Sequence, residues 1–360
     1  MNIIFSNSIF FLQKKGGISR YFVNLAKQLN SLKVENKIIA PLSKNLYLNK
    51  FNEKKISFHF SKIPNNFFTN KLNNFLFKFY LKREKVDIIH ETYYNEENFK
   101  LLKHKLKILT VYDLIHEKFS HNYEKKKILE KKKIFKHVDH FICISKRTQK
   151  DLIKIYKIPS KKTTVIYLGS DHLKKKNIIN YKIDLPEFFF LYVGSREGYK
   201  NFKLLVKAIS LSNNLNKIKI VCFGGGKFSQ AEINKYNLDD NFINLQGDDN
   251  LLAYLYTKAL ALVNTSKYEG FGITNVEAMN LGCPVISSNF ETLREIGNDS
   301  CLFFKNNNIL DLAKKMELIF LKKNFREKLK KRGLKRSKIF TWTKCAIDTK
   351  KLYNRLLQKN

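Results

Sequence analysis

The stretch Leu262–Asn289, LVNTSKYEGFGITNVEAMNLGCPVISSN, most narrows what this chain can fold into. Two short apolar runs, Ala261-Leu262-Val263 and Pro284-Val285-Ile286-Ser287, read as buried parallel strands. Between them lie Glu269-Gly270-Phe271-Gly272 and then a helical pattern over Ile273, Val276, Glu277, Met279 and Asn280 that stops at Gly282. Strand, glycine turn, helix, strand is one βαβ unit, with a turn that lets backbone approach a ligand closely. Free N–H groups and the positive end of the dipole make an anion the expected guest at such a helix start. Glu269 and Glu277 stand eight positions apart, one before the turn and one about a turn into the helix. A carboxylate there is unsuited to a phosphate. It is suited to accepting hydrogen bonds from hydroxyls, as sugars offer.

At 360 residues the expectation is two domains, each large enough for its own core. Strand-like runs recur at Asn2–Ser6, Lys37–Pro41, Ile56–Phe60, Val86–His90, Leu106–Val111, Phe141–Ser145 and Thr164–Leu168, with helical patterns between several of them. Such alternation predicts a doubly wound parallel sheet. A polar stretch, Asp171 to Pro186, separates this half from a second series at Phe188–Val193, Ile218–Phe223, Phe242–Leu245 and the central βαβ unit. The expected domains are therefore 1–172 and 186–342.

Glycine turns recur at the ends of these strands. Gly16-Gly17 opens a helix whose apolar stripe is Ile18, Phe22, Leu25 and Leu29, and paired glycines at such a junction suit close approach to a phosphate. No G-x-G-x-x-G is present, so this is not the dinucleotide fingerprint. After Phe188–Val193 comes Gly194-Ser195-Arg196-Glu197-Gly198-Tyr199-Lys200-Asn201. A guanidinium and an ammonium on one glycine turn suit a diphosphate. Ligands of open parallel sheets sit at the C-terminal ends of the strands, which singles out His90-Glu91-Thr92-Tyr93-Tyr94 and Tyr112-Asp113-Leu114. His90 and His116 are candidates only, since a lone histidine is more often structural.

E-G-F-G-I-T-N-V-E followed by A-M-N-L-G-C-P-V-I resembles the E-x7-E signature of the retaining glycosyltransferases of family 4. V-G-S-R-x-x-Y-K-N resembles that family's paired Arg and Lys, and G-G-I-S-R-Y-F its N-domain loop. The resemblance covers nearly the whole chain, but only the Arg196/Lys200 and Glu269/Glu277 motifs are specific. It implies the α/β GT-B fold, two Rossmann-like doubly wound domains facing across a cleft, with a closing helix at about 343–360 packing back on the first. Glu277 would hold the ribose of a nucleoside diphosphate sugar, and Glu269 the donor sugar, beside Gly270, Phe271, Gly272, Ile273 and Thr274. Arg196 and Lys200 would clamp the leaving diphosphate, with Gly16 and Gly17 facing it. Gly247 would line the base pocket through backbone. Where the family often has His-Asp this sequence reads Tyr112-Asp113, so a role needing an imidazole there is in doubt, while Asp113 could still bind a hydroxyl.

The implied activity is metal-independent transfer of a hexose, with mannose from GDP-mannose as one candidate, in cell-surface polysaccharide synthesis. No cofactor is expected beyond the nucleotide-sugar co-substrate. No Asp-x-Asp, the pair by which the metal-dependent GT-A transferases hold a divalent cation, occurs in the chain. A sugar-nucleotide epimerase on the same fold stays open, because fold does not fix function.

The net charge of +37 favours anionic partners: nucleotide, anionic membrane or nucleic acid. Part of it reflects a composition rich in Lys, Asn, Ile and Phe. No recognition-helix motif, RNP-like aromatic pattern or zinc spacing supports nucleic acid. Phe68, Leu72, Phe75, Leu76 and Phe79 form one apolar helix face, read first as core and alternatively as an edge dipping into an anionic membrane. Seven lysines between Lys125 and Lys136 read as a solvated face that also suits lipid head groups. These features, with the family, point to a saccharide or polyprenyl-linked acceptor. Five scattered cysteines without C-x-x-C, and an N-terminus read as a strand rather than a leader, set a cytoplasmic expectation, peripheral to the inner membrane face.

Overall fold

The computed structural model describes residues 1–100, 106–119, 125–173, 181, 183–212, 214–215 and 218–358. They form two compact units. Unit 1 comprises Met1–Gly169 with Trp342–Asn360, and unit 2 comprises Ser170–Thr341. Half of the polar stretch between the two strand series, 174–180 and 182, lies outside the described residues.

Unit 1 carries seven strands, β1 (Asn2–Phe5), β2 (Glu35–Ser43), β3 (Lys55–His59), β4 (Ile88–Glu91), β5 (Leu106–Val111), β6 (His140–Cys143) and β7 (Thr163–Val165). They lie in the order β3-β2-β1-β4-β5-β6-β7, every pair parallel. Parallel strands are covered on both faces, hence the runs of Ile, Leu and Phe rather than an alternating pattern. Pro41 has no N–H to give the ladder, and the β2–β3 register shifts between Ile39 and Leu42.

The segment before Gly16 contains a short helix, α1 (Ser8–Leu12). The next helix, α2 (Gly17–Ser31), buries Phe22, Leu25 and Leu29 from its stripe. A third, α3 (Phe67–Leu81), starts in a capping box made by Asn66 and Thr69. Its inner face is Asn73, Phe77 and Leu81, not the Phe68–Phe79 stripe, so the core reading of that stripe is corrected. The lysine-rich helix α4 (Lys125–Phe135) turns Ile134 and Phe135 into a core shared with Leu109 and Phe141, while Leu129 is exposed.

Unit 2 holds β8 (Phe189–Val193), β9 (Lys219–Phe223), β10 (Phe242–Leu245), β11 (Ala261–Asn264), β12 (Val285–Ser288) and β13 (Leu302–Phe304), in the order β10-β9-β8-β11-β12-β13. The two runs of the central stretch pair in parallel, Leu262 opposite Val285, across the helix α5 (Ile273–Asn280). The last helix, α6 (Trp342–Leu357), belongs to unit 1: Tyr353 reaches His90, and Thr343 bonds Gln28 of α2. All five cysteines are reduced and buried. Among the described residues no helix is long and apolar enough to cross a membrane.

Candidate active site

Strand order reverses direction between β8 and β11 in unit 2, and the C-terminal ends at such a switch point frame a crevice. The turn after β8 carries Arg196 and Lys200, and the turn after β11 carries Glu269. Here the Lys200 ammonium donates to Glu269 Oε1 at 2.6 Å. Ser266 Oγ donates to the same oxygen at 2.7 Å. Both ends of the ion pair keep an accessible edge, 18% and 13% of the two side chains. The turns are also tied through backbone: Thr265 Oγ1 donates to the Lys200 carbonyl at 2.8 Å, and the Lys267 N–H to the Tyr199 carbonyl at 2.7 Å. A carboxylate and an ammonium at fixed separation offer a polyol an acceptor and a phosphate a cation.

Arg196 lies on the same turn as Lys200 but points elsewhere. Its side chain is buried and aimed into the turn after β9 rather than outward. Nε and Nη2 donate to the two oxygens of Glu232 at 2.8 and 3.1 Å. Nη1 donates to the Gly224 carbonyl at 3.0 Å, and Nη2 to those of Gly225, Gly226 and Lys227 at 3.2 to 3.3 Å. Three consecutive glycines at φ +83°, +72° and +81° turn these carbonyls onto the guanidinium, a left-handed run that side chains resist. The Phe228 ring stacks at 4.7 Å. Bonding to Arg196, ahead of other causes, holds the Glu232 carboxyl below its ordinary value. Arg196 thus ties the turn after β8 to the turn after β9.

The start of α5 is built for close approach. Gly272 takes φ +84° as the residue before the helix, and a Cβ there would meet Leu293 Cδ2 at 2.5 Å. Under the turn runs a polar spine: Asn264 Nδ2 donates to Asn275 Oδ1 at 2.8 Å, and Asn275 Nδ2 to Ser287 Oγ at 3.0 Å. Glu277 lies on the buried side of α5, where Tyr256 Oη donates to it at 3.3 Å and His172 Nε2 stands 3.2 Å away. Gly247, after β10, is packed against Leu251 so closely that a Cβ would meet its Cδ2 at 2.6 Å. Sequence reading missed Ser266, Tyr256, Glu232 and the Asn264–Asn275–Ser287 spine. For Asn264 and Ser287 the signal available was polarity within apolar strands; Glu232 lies in a polar helix and Ser266 in a loop, where no such signal exists.

The remaining expected residues belong to unit 1. Gly16 has extended backbone, and a Cβ there would strike Gln13; Gly17 is the first residue of α2 and faces open space, nothing lying within 4 Å of an added Cβ. Asp113 accepts from the Ile115 N–H at 3.1 Å, and burial raises its pKa. His90 is buried and held at both ring nitrogens: Nδ1 is 2.6 Å from Tyr353 Oη and Nε2 is 2.8 Å from Thr110 Oγ1, and burial lowers its pKa to about 3. His116 Nδ1 lies 3.4 Å from the Lys131 ammonium. At the switch point between β1 and β4, Glu91 is enclosed by Asn98, 2.7 Å away, and Ser8, at 3.3 Å; burial lifts its pKa to about 8.

Residues 15–172 match the family model "Glycosyltransferase Family 4" and residues 173–336 the model "Glycosyl transferases group 1". The O-antigen chain mannosyltransferase B of Escherichia coli is 26% identical over 229 residues, 60% of each chain. The O-antigen chain mannosyltransferase RfbU of Salmonella typhimurium is 30% identical over 181 residues, 47% of each. The matches thus span about half the length of these relatives. Among solved structures, a sucrose-phosphate synthase from Thermosynechococcus elongatus superposes with a TM-score of 0.78 at 20% identity, covering all of both chains. HepE of Anabaena, crystallised with UDP and glucose, gives 0.75 at 14%, covering 99% and 100%.

Proposed function

Because this chain belongs to the glycosyltransferases of group 1 and family 4, with the GT-B fold, we propose that it moves a hexose from a nucleoside diphosphate sugar to a saccharide acceptor with the anomeric configuration retained. The observation that carries the reading is the Lys200–Glu269 pair at the unit 2 switch point, one charge suited to a diphosphate and the other to sugar hydroxyls. O-antigen mannosyltransferase relatives favour mannose as the sugar and cell-surface polysaccharide as the product. A GDP-linked donor and a polyprenyl-linked acceptor at an anionic membrane complete the proposal, with no further cofactor and no metal.

In this mechanism the bond from the anomeric carbon to the donor phosphate breaks as the acceptor oxygen bonds to the same face of that carbon. The acceptor hydroxyl proton passes to the departing phosphate oxygen. Negative charge grows on the diphosphate, so the protein's task is electrostatic. Lys200 supplies the cation, and the start of α5 with Gly270, Phe271, Gly272, Ile273 and Thr274 supplies backbone dipoles; Gly16 and Gly17, at the start of α2, suit close approach to a phosphate. Glu269 orients the sugar, Glu277 the ribose, and Gly247 borders the base. Arg196 positions the turn that carries Lys200. Asp113 binds an acceptor hydroxyl.

Thermal unfolding against GDP, UDP and ADP, each with and without EDTA, tests the donor side. A ligand at a hundred times its dissociation constant adds about 2.7 kcal/mol, a shift of several degrees. A rise with GDP that survives EDTA, followed by mannose transfer from GDP-mannose, is the expected result. No rise with any nucleotide would overturn the reading.

A further inference from the structure

The stripe on α3, read from its spacing first as core and alternatively as an edge facing an anionic membrane, points outward. Phe67, Phe68 and Phe75 are 71%, 79% and 64% exposed, and Leu72 and Phe79 also stand in solvent. Phe58 and Phe60, at the end of the edge strand β3, are exposed as well. Among the described residues, six of the seven exposed phenylalanines thus fall within residues 58–79. A soluble surface scatters its apolar side chains, and a concentration of aromatic rings marks an interface.

The position of the patch follows from the topology. In a parallel sheet β3 ends where every strand of unit 1 ends, and α3 begins seven residues after Phe60 before running back toward the start of β4. Phe58, Phe60, Phe67 and Phe68 therefore belong to the carboxyl end of the sheet, the end at which open α/β sheets bind ligands. Asn73 anchors the opposite side, accepting from the Leu42 N–H and, through its carbonyl, from Asn7 Nδ2. With Phe77 and Leu81 buried below, rotation of α3 to hide its rings is blocked.

Charge decides what the patch fits. No acidic residue occurs from Lys54 through Arg83. Lys71, Lys78 and Lys82 lie on the same exposed side of the helix as the rings. The Lys71 ammonium lies 5.6 Å from the centre of the Phe67 ring, and the Arg83 guanidinium 4.1 Å from that of Phe79. Rings flanked by long cationic side chains are the pattern of a helix lying in a lipid interface, rings among the acyl chains and charges at the phosphates. A protein partner would call for mixed charge around an apolar centre, which this surface lacks.

We propose that the outer face of α3, with the end of β3, is a docking surface for an anionic lipid leaflet. The inference rests on the preceding reading for its purpose, delivery of unit 1 to a lipid-linked acceptor, and on geometry for its existence. The test is co-sedimentation of the full chain with vesicles of phosphatidylcholine alone or of phosphatidylcholine and phosphatidylglycerol in equal parts. The wild-type chain should partition onto the anionic vesicles and hardly onto the neutral ones. Two triple variants, Phe67→Ser/Phe68→Ser/Phe75→Ser and Lys71→Gln/Lys78→Gln/Lys82→Gln, should each bind the anionic vesicles at least about tenfold more weakly. All six residues are exposed, so melting and transfer to a water-soluble saccharide acceptor should be unchanged. Undiminished vesicle binding by the phenylalanine variant overturns the proposal, as does failure of the wild-type chain to bind. A wild-type dimer in lipid-free sedimentation that the phenylalanine variant turns into a monomer would also overturn it, by making a second copy the occupant. Expected partition without transfer to any acceptor would sustain the surface while removing the transferase reading.

Discussion

Replacing Arg196 by alanine asks whether its guanidinium holds the fold or the substrate. The side chain bonds both Glu232 oxygens and four backbone carbonyls, all between 2.8 and 3.3 Å. Alanine removes every one of these donors and leaves the Glu232 carboxylate, 15% exposed, without its cation. Breaking a buried pair from one side costs roughly 3–5 kcal/mol. Water admitted to the turn would satisfy some carbonyls, so the lower figure, about 3 kcal/mol, is the working value. In a domain of this size that lowers the melting temperature by roughly 6–12 °C. Arg196→Lys should recover little, because an ammonium cannot span a carboxylate and a row of carbonyls. The effect has a pH signature. Arg196 depresses the folded pKa of Glu232 below the ordinary 4.5, so the stabilisation is present above that value and fades as the pH falls below it. Scanning calorimetry of wild type and variant at neutral pH and in acid measures both. A variant that melts like the wild-type chain, yet loses transfer by about 10²–10³-fold, would show that the guanidinium works on the donor and that its structural role has been misjudged.

Lys200→Ala should do the reverse, lowering turnover by roughly 10²–10³-fold while melting within a few degrees of wild type, since Ser266 still donates to Glu269. Turnover at saturating donor checks it. Gly17→Ala meets nothing within 4 Å and should melt at or slightly above the wild-type temperature while transfer falls; the paired assay separates fold from function. Gly272→Ala forces a left-handed alanine against Leu293 and should cost about 2 kcal/mol in urea unfolding. Glu91, with its pKa raised from 4.5 to about 8, stabilises the fold fully below pH 4.5, and the contribution is lost as the pH rises through 8. Glu91→Gln should therefore flatten the fall of melting temperature across that window. His90 acts oppositely: its pKa is depressed from 6.5 to about 3, so its contribution is whole above 6.5 and lost as the pH falls toward 3.

The β-strands were legible because they are short apolar runs, several closed by a glycine, asparagine or charged residue, and because parallel strands bury both faces. The glycine turns were legible for the same reason. Helix faces were not. The α3 stripe has the spacing of a core face, but spacing tells only that apolar residues share a side; Asn73 took the inner side by bonding to Leu42 and Asn7, and Phe77 and Leu81 by packing on Ile4, Ile39 and Ile89. Charge in sequence was equally mute about direction. Arg196 and Lys200 sit four positions apart, and only the fold turns one inward to Glu232 and the other to Glu269. Both pairings join residues distant in sequence, beyond the reach of local spacing.

Helix α6 follows unit 2 in the chain yet completes unit 1, where Tyr353 closes on His90 and Trp342 packs against Gly169 so tightly that an added Cβ would lie 2.3 Å from its backbone nitrogen. On the ribosome, the strands of unit 1 must therefore wait for α6. Unit 2 is continuous and can finish folding as soon as Thr341 is out, but unit 1 holds an open seam along α2 for the whole of its neighbour's synthesis. In a nascent chain unit 2 would therefore mature before unit 1, and a nonsense mutation ahead of α6 would disable the half that precedes unit 2.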